Sequence, residues 1–155
     1  MSAVGNVPVI GTGYFYEDLA VGMRFRTYRR TLREADLATF VNLTWLTEEL
    51  FTVDGDEGRS LKGKVVPGAL VYTFAEGLLL PSMQDTGLAF LGATLDVKRS
   101  TLVGDTIHVE VEVREARLTS KGDRGLVRFA NRVINQAGEA VLEYDPLRML
   151  RRKPG

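Results

Sequence analysis

The chain has 155 residues, 45% hydrophobic and 26% charged, which suits one globular domain with a sizeable core. Lys plus Arg and Asp plus Glu both number 20, so no net field draws the protein to nucleic acid or to an anionic membrane. There is no cysteine, which excludes disulfides, thiolate metal sites and a cysteine nucleophile.

Residues 1–13 are small and Gly-rich and read as an extension ahead of a single domain over 14–155. They lack a basic start and a sustained apolar stretch, so no secretory signal is expected. No apolar run reaches the ~18 residues of a membrane span. The expectation is a cytoplasmic protein that touches neither membrane nor nucleic acid. Gly11-Thr12-Gly13 is followed by Tyr14, Phe15 and Tyr16, and so completes no dinucleotide fingerprint. The basic clusters at Arg24–Arg33 and Arg148–Lys153 read as solvated strand ends.

A strand is expected from Met23. Thr31-Leu32-Arg33-Glu34 then has the pattern of a capping box, and Leu37, Phe40 and Val41 follow at helical spacing, so a helix should run to about Leu43. Next comes LTWLTEELF, Leu43 to Phe51. Residues 54–64 are polar with three glycines and read as loop. Asp54, Asp56 and Glu57 miss the calcium-loop pattern, because Gly58 and Arg59 stand at its fifth and sixth positions.

Residues 65–80, VVPGALVYTFAEGLLL, carry one charge, Glu76, with apolar residues on every face. Such a helix belongs inside a protein, and at ~1.5 Å per residue it is about 24 Å long. Pro67 fits its first turn. Long strands are expected within 88–100, 105–118, 125–136 and 139–152. The second alternates strictly, Ile107, Val109, Val111 and Val113 against His108, Glu110 and Glu112. One buried helix and about five antiparallel strands make an α+β hot-dog fold, a sheet wrapped around a long central helix. Its open edge favours a homodimer or a higher assembly of dimers.

The order of motifs resembles the MaoC-like (R)-specific enoyl-CoA hydratases: Thr31 to Asp36, Val65 to Gly68, Val103-Gly-Asp-Thr-Ile107 and Asn135 to Val141. The resemblance implies acyl-CoA or acyl-carrier thioesters as ligands and no cofactor. In that family an Asp and a His, five apart in a G-D-x-N-P-x-H loop, activate water, and an amide at the start of the central helix holds the enolate oxygen. Gly68 takes the amide's place here. Trp45 and Leu46 fall on Gly-Asp, Glu48 and Glu49 on Asn-Pro, and Phe51 on the His, so neither member of the dyad is present. Pro67 stands where many members carry His. The one histidine, His108, belongs to the polar face of a strand.

Three readings follow. Glu48 is the candidate replacement base of a hydratase or dehydratase, its pKa raised in an apolar pocket beside Trp45 or Phe51. Against this, Leu46 and Leu50 could prolong the first helix and leave Glu48 and Glu49 in water. Alternatively the protein binds acyl thioesters without turnover, or supports a catalytic paralogue in a mixed dimer. Third, Glu76, eight residues after Gly68, matches the spacing of a catalytic Glu in some hot-dog thioesterases; the competing readings are an ion pair with an Arg, within the chain or across a dimer, and a carboxylate that points along the helix end into water. Trp45, Leu46, Phe51, Val66 and Pro67 are the candidate substrate-binding residues. With one histidine and no cysteine, no metal site is expected.

Overall fold

The computed structural model describes residues 7–54 and 63–155. The elements in chain order are β1 (Arg24–Arg26), β2 (Arg30–Thr31), α1 (Glu34–Thr44), α2 (Glu49–Thr52), β3 (Val65–Val66), α3 (Gly68–Leu79), β4 (Gly87–Gly92), β5 (Leu95–Val97), β6 (Thr101–Leu102), β7 (Thr106–Leu118), β8 (Arg124–Ile134), β9 (Ala140–Tyr144) and β10 (Leu147–Arg151). The calcium-like part of the 54–64 loop falls largely outside the described residues.

The large sheet is antiparallel, in the order β1-β7-β8-β10-β4, with β2 beside β7, and β9 joining β8 to β5. Its spine is β7 against β8, with Val109 opposite Val133 and Val111 opposite Asn131. Period-two alternation directs Ile107, Val109, Val111 and Val113 inward, where all four are buried. Leu70, Val71, Ala75 and Leu79 of α3 pack into that concave face. Burying each such Val or Leu contributes about 1.5–3 kcal/mol.

Two expected strands are each divided. Pro146 has no N–H for the ladder, so β9 ends before it and β10 begins after it. Residues 88–100 split into β4 and β5 after Gly92, whose φ is 157°.

The helices also differ in detail from the sequence expectation. Val65 and Val66 pair with Leu102 and Thr101 as strand, and α3 begins only at Gly68. Pro67, at φ −57° and ψ 140°, is therefore the N-cap and lies ahead of the first turn. Nor is α3 enclosed all round: Ala69, Thr73 and Gly77 form an exposed stripe within the single chain. At α1 the backbone N–H of Arg33 donates to Asp36 Oδ2 (2.9 Å), two residues later than the Thr31–Glu34 box, because Thr31 is held in β2. The helix stops at Trp45, whose φ of 61° and ψ of 23° are left-handed, so it does not continue through Leu46 and Leu50.

Among the described residues β4 is paired on one side only, by β10, and Leu88, Phe90 and Leu91 on it are exposed. No helix among the described residues is long and apolar enough to cross a membrane.

Candidate active site

A pocket of 160 Å³ opens at the N-terminus of α3. Phe51 from α2, Val66 from β3, Pro67, Gly68 and Val71 at the helix start, and Val97 at the end of β5 form its apolar walls. Arg99, Ser100 and Thr101 add a polar side that the sequence reading missed, since nothing in that segment's pattern marks it. Arg99 Nη1 lies 3.1 Å from Glu139 Oε2.

The backbone explains why this spot suits a carbonyl oxygen. The amides of Leu70 and Val71 already donate to Pro67 O, at 3.0 and 3.2 Å. Those of Gly68 and Ala69 precede any intrahelical acceptor, and the helix contributes roughly half a positive charge at this end. A Cβ on residue 68 would come within 3.2 Å of Val97 Cγ2, so glycine keeps the approach open.

Of the residues expected at the site, Phe51, Val66, Pro67 and Gly68 come together in the pocket. Trp45, Leu46 and Glu48 do not line it. Trp45 is 84% exposed after the left-handed turn that ends α1, and Leu46 is 39% exposed. Glu48 lies in water as the N-cap of α2, its Oε2 accepting from the Leu50 N–H at 2.6 Å. The expected apolar pocket around Glu48 is therefore corrected: capping directs its carboxylate to the backbone of α2, while Phe51, one turn on, turns inward. Glu49 is also exposed. Lys64 holds this region to α1, its Nζ 2.7 Å from Glu34 Oε1 and 2.8 Å from Asp54 Oδ1. The hydrogen bond to Asp54, then that to Glu34, raises the Lys64 pKa, and Lys64 in turn lowers that of Asp54.

Glu76 belongs to a different cluster, about 12 Å further along α3. Its Oε2 accepts from Arg148 Nη2 at 2.6 Å and from the Tyr144 hydroxyl at 2.7 Å. Arg148 is only 7% exposed. The ion-pair reading of Glu76 is the one observed, and its partner comes from β10 of the same chain. Burial first, and then the negative charge of Glu76, push the Tyr144 and Tyr72 phenols above their ordinary pKa, so both stay neutral. Tyr72 packs edge-on against Tyr144, ring centroids 5.0 Å apart. His108 sits beside Glu110 on the polar face of β7, Nε2 to Oε2 3.2 Å. No cluster of metal-type side chains occurs among the described residues.

No protein-family model and no curated protein sequence matches the chain. Solved structures do. A MaoC-like dehydratase from Rhodospirillum rubrum aligns with a TM-score of 0.79 and 26% identity, over 92% of this chain and 100% of that one. The fold is the hot-dog fold of the MaoC-like dehydratases and (R)-hydratases. An unliganded (R)-hydratase from Pseudomonas aeruginosa aligns at 0.73 and 26%, over 90% and 86% of the two chains. A MaoC domain protein dehydratase from Chloroflexus aurantiacus aligns at 0.87 and 26%, covering 96% of this chain but 43% of that one. In this hot-dog fold the central helix is α3, and its N-terminal turn forms the floor of the Gly68 pocket.

Proposed function

We propose that this hot-dog protein binds a 2-enoyl or 3-hydroxyacyl thioester, of CoA or of an acyl carrier protein, at the N-terminus of α3. The thioester carbonyl accepts from the Gly68 amide, and the first acyl carbons lie against Phe51, Val66 and Val97. The observation that carries this reading is the pocket itself, apolar walls converging on helix-start amides of Gly68 and Ala69 that have no acceptor among the described residues. Its described lining includes no carboxylate and no imidazole. Adding water across a double bond needs a base within ~2.6–3.2 Å of the water. Binding, as a homodimer or as the partner of a catalytic paralogue in fatty-acyl metabolism, accordingly stands first. The exposed β4 edge supports pairing of two such chains.

A second reading, hydration or dehydration with Glu48 as base, is favoured by the likeness to dehydratases and (R)-hydratases and by the position of Glu48 on the helix that delivers Phe51. It requires α2 to turn its cap inward. Thioester hydrolysis by Glu76 is less supported, since its carboxylate is already held by Arg148 and Tyr144, away from Gly68.

The test combines calorimetric titration with mass spectrometry of trans-2-enoyl-CoAs. Gly68→Pro deletes the proposed donor at a position where helices tolerate proline, and Gly68→Ala, which sets the same Cβ beside Val97 but keeps the N–H, is the steric control. Binding without mass change, weakened about tenfold more in Gly68→Pro than in Gly68→Ala, supports the proposal. Gain of one water that disappears in Glu48→Gln establishes the hydratase instead. Release of free CoA points to Glu76, and no binding at all removes the thioester reading.

A further inference from the structure

The Gly68 pocket is shallow, and its depth limits the acyl group that fits. Leu50, Val97, Arg99 and Ser100 form its rim, half-buried or exposed. Val66, Val71, Val141 and Leu142 form its floor, each at most 4% exposed. With the thioester carbonyl at Gly68 and the carrier arm leaving past the rim, the acyl chain points at this floor.

Two measures of the space agree. Val71 lies three residues into α3 from Gly68, about 4.5 Å along the axis. C–C bonds of about 1.5 Å cover that depth in roughly three steps, from the thioester carbon to C4. The volume of 160 Å³ matches the ~150 Å³ of a cavity that holds one benzene, roughly six carbon-sized atoms. The carbonyl carbon and oxygen, the sulfur and C2 to C4 make up that number. The floor is also backed by packed side chains. Leu142 lies opposite Val97 of β5 and Val133 of β8. Two residues on, on the same face of β9, Tyr144 is 2% exposed and packs edge-on against Tyr72, one helical turn past Gly68. The Tyr144 hydroxyl donates to Glu76, which Arg148 pairs. Neither tyrosine lines the pocket, so the pocket ends before this pair.

We infer that the pocket admits acyl groups of up to about four carbons, the 2-butenoyl or 3-hydroxybutanoyl thioester, with Val71 and Leu142 as the residues that set the limit. This rests on the thioester reading above and narrows it to short chains. Further carbons would have to push Leu142 toward the Tyr72–Tyr144 pair, and overpacking a close-packed interior is unfavourable.

The experiment titrates the full chain with a ladder of CoA thioesters: acetyl, trans-2-butenoyl, trans-2-hexenoyl and trans-2-octenoyl. The affinity of each is read by displacement of butenoyl-CoA, so that only this site is reported. Each carbon buried within the pocket should tighten binding about fourfold, placing butenoyl-CoA about 15-fold above acetyl-CoA. Hexenoyl- and octenoyl-CoA should fall at least about tenfold below butenoyl-CoA. Leu142→Ala truncates the floor to its Cβ, and hexenoyl-CoA should then bind at least as tightly as butenoyl-CoA. Should that variant fail to fold, Val71→Ala opens the floor from the helix side, and the ladder on the unmodified chain needs neither. Affinity that holds or rises from butenoyl to octenoyl would overturn the limit and leave the thioester reading standing. A ladder unchanged in the folded variants would overturn the assignment of the floor. Absence of binding at every length would remove the thioester reading and this inference with it.

Discussion

The Glu76–Arg148 pair offers the sharpest test of how this core is held. Glu76→Gln keeps the size of the side chain and removes its charge, leaving the Arg148 guanidinium, 8% exposed, without its counter-ion. Breaking a buried pair by removing one partner costs about 3–5 kcal/mol. Glu76 is 24% exposed, so some water reaches the orphaned charge and the lower figure, about 3 kcal/mol, applies. In a domain of this length that lowers Tm by about 6–12 °C. Replacing both partners, Glu76→Gln with Arg148→Met, removes the unpaired charge while the Gln side-chain oxygen can still accept from the buried Tyr144 hydroxyl, and should return to within about 1 kcal/mol of the parent. Urea unfolding of the two single variants and the double variant gives the cycle and its coupling energy. Near-parental stability of Glu76→Gln, together with loss of thioester turnover, would refute the structural role and restore Glu76 as a catalytic group.

Other predictions follow from single contacts. A Cβ on Gly125 would run into the Tyr16 ring, so Gly125→Ala should cost about 1–3 kcal/mol in thermal unfolding, while Gly122→Ala acts only through its turn. Leu88→Lys puts a charge on the open β4 edge and should shift the assembly toward monomer in light scattering. The Lys64 clamp has a two-sided pH dependence. The raised Lys64 pKa makes its contribution complete below the ordinary lysine range and lost as pH rises through the folded value. The lowered Asp54 pKa makes its own complete above the ordinary carboxylate range and lost as pH falls through the folded value. Fluorescence of Trp45, between α1 and α2, should stay flat between the ordinary carboxylate range, about pH 4, and the ordinary lysine range, about pH 10.5, and change beyond either end. Lys64→Met should abolish both changes.

Much of the hot-dog sheet was legible because its signal is local. Ile107 to Val113 alternate strictly, and a period of two leaves one face for the core whichever strand lies opposite. The apolar run containing Leu70, Val71, Ala75 and Leu79 marks the central helix in the same way. Pro146 could also have been read as a break, since a missing N–H interrupts any central ladder. The loop LTWLTEELF was harder. Whether Glu48 or Phe51 faces the pocket depends on where α1 stops, and that was decided by the left-handed Trp45, a conformation no residue type there demands.

The amino-acid sequence by itself determined the α+β class, the apolar central helix through Leu70 to Leu79, and the shortage of imidazole and thiol chemistry. These are properties of composition and of short-range periodicity, which need no knowledge of what lies across the fold. Tertiary structure alone decided the partners. Glu76 meets Arg148 72 residues away and Tyr144 68 residues away, and the buried Asn131 Oδ1 finds no hydrogen-bond partner among the described residues. Such contacts depend on which strands the sheet brings beside α3, and on how the hydrogen-bond donors are shared once they are buried there.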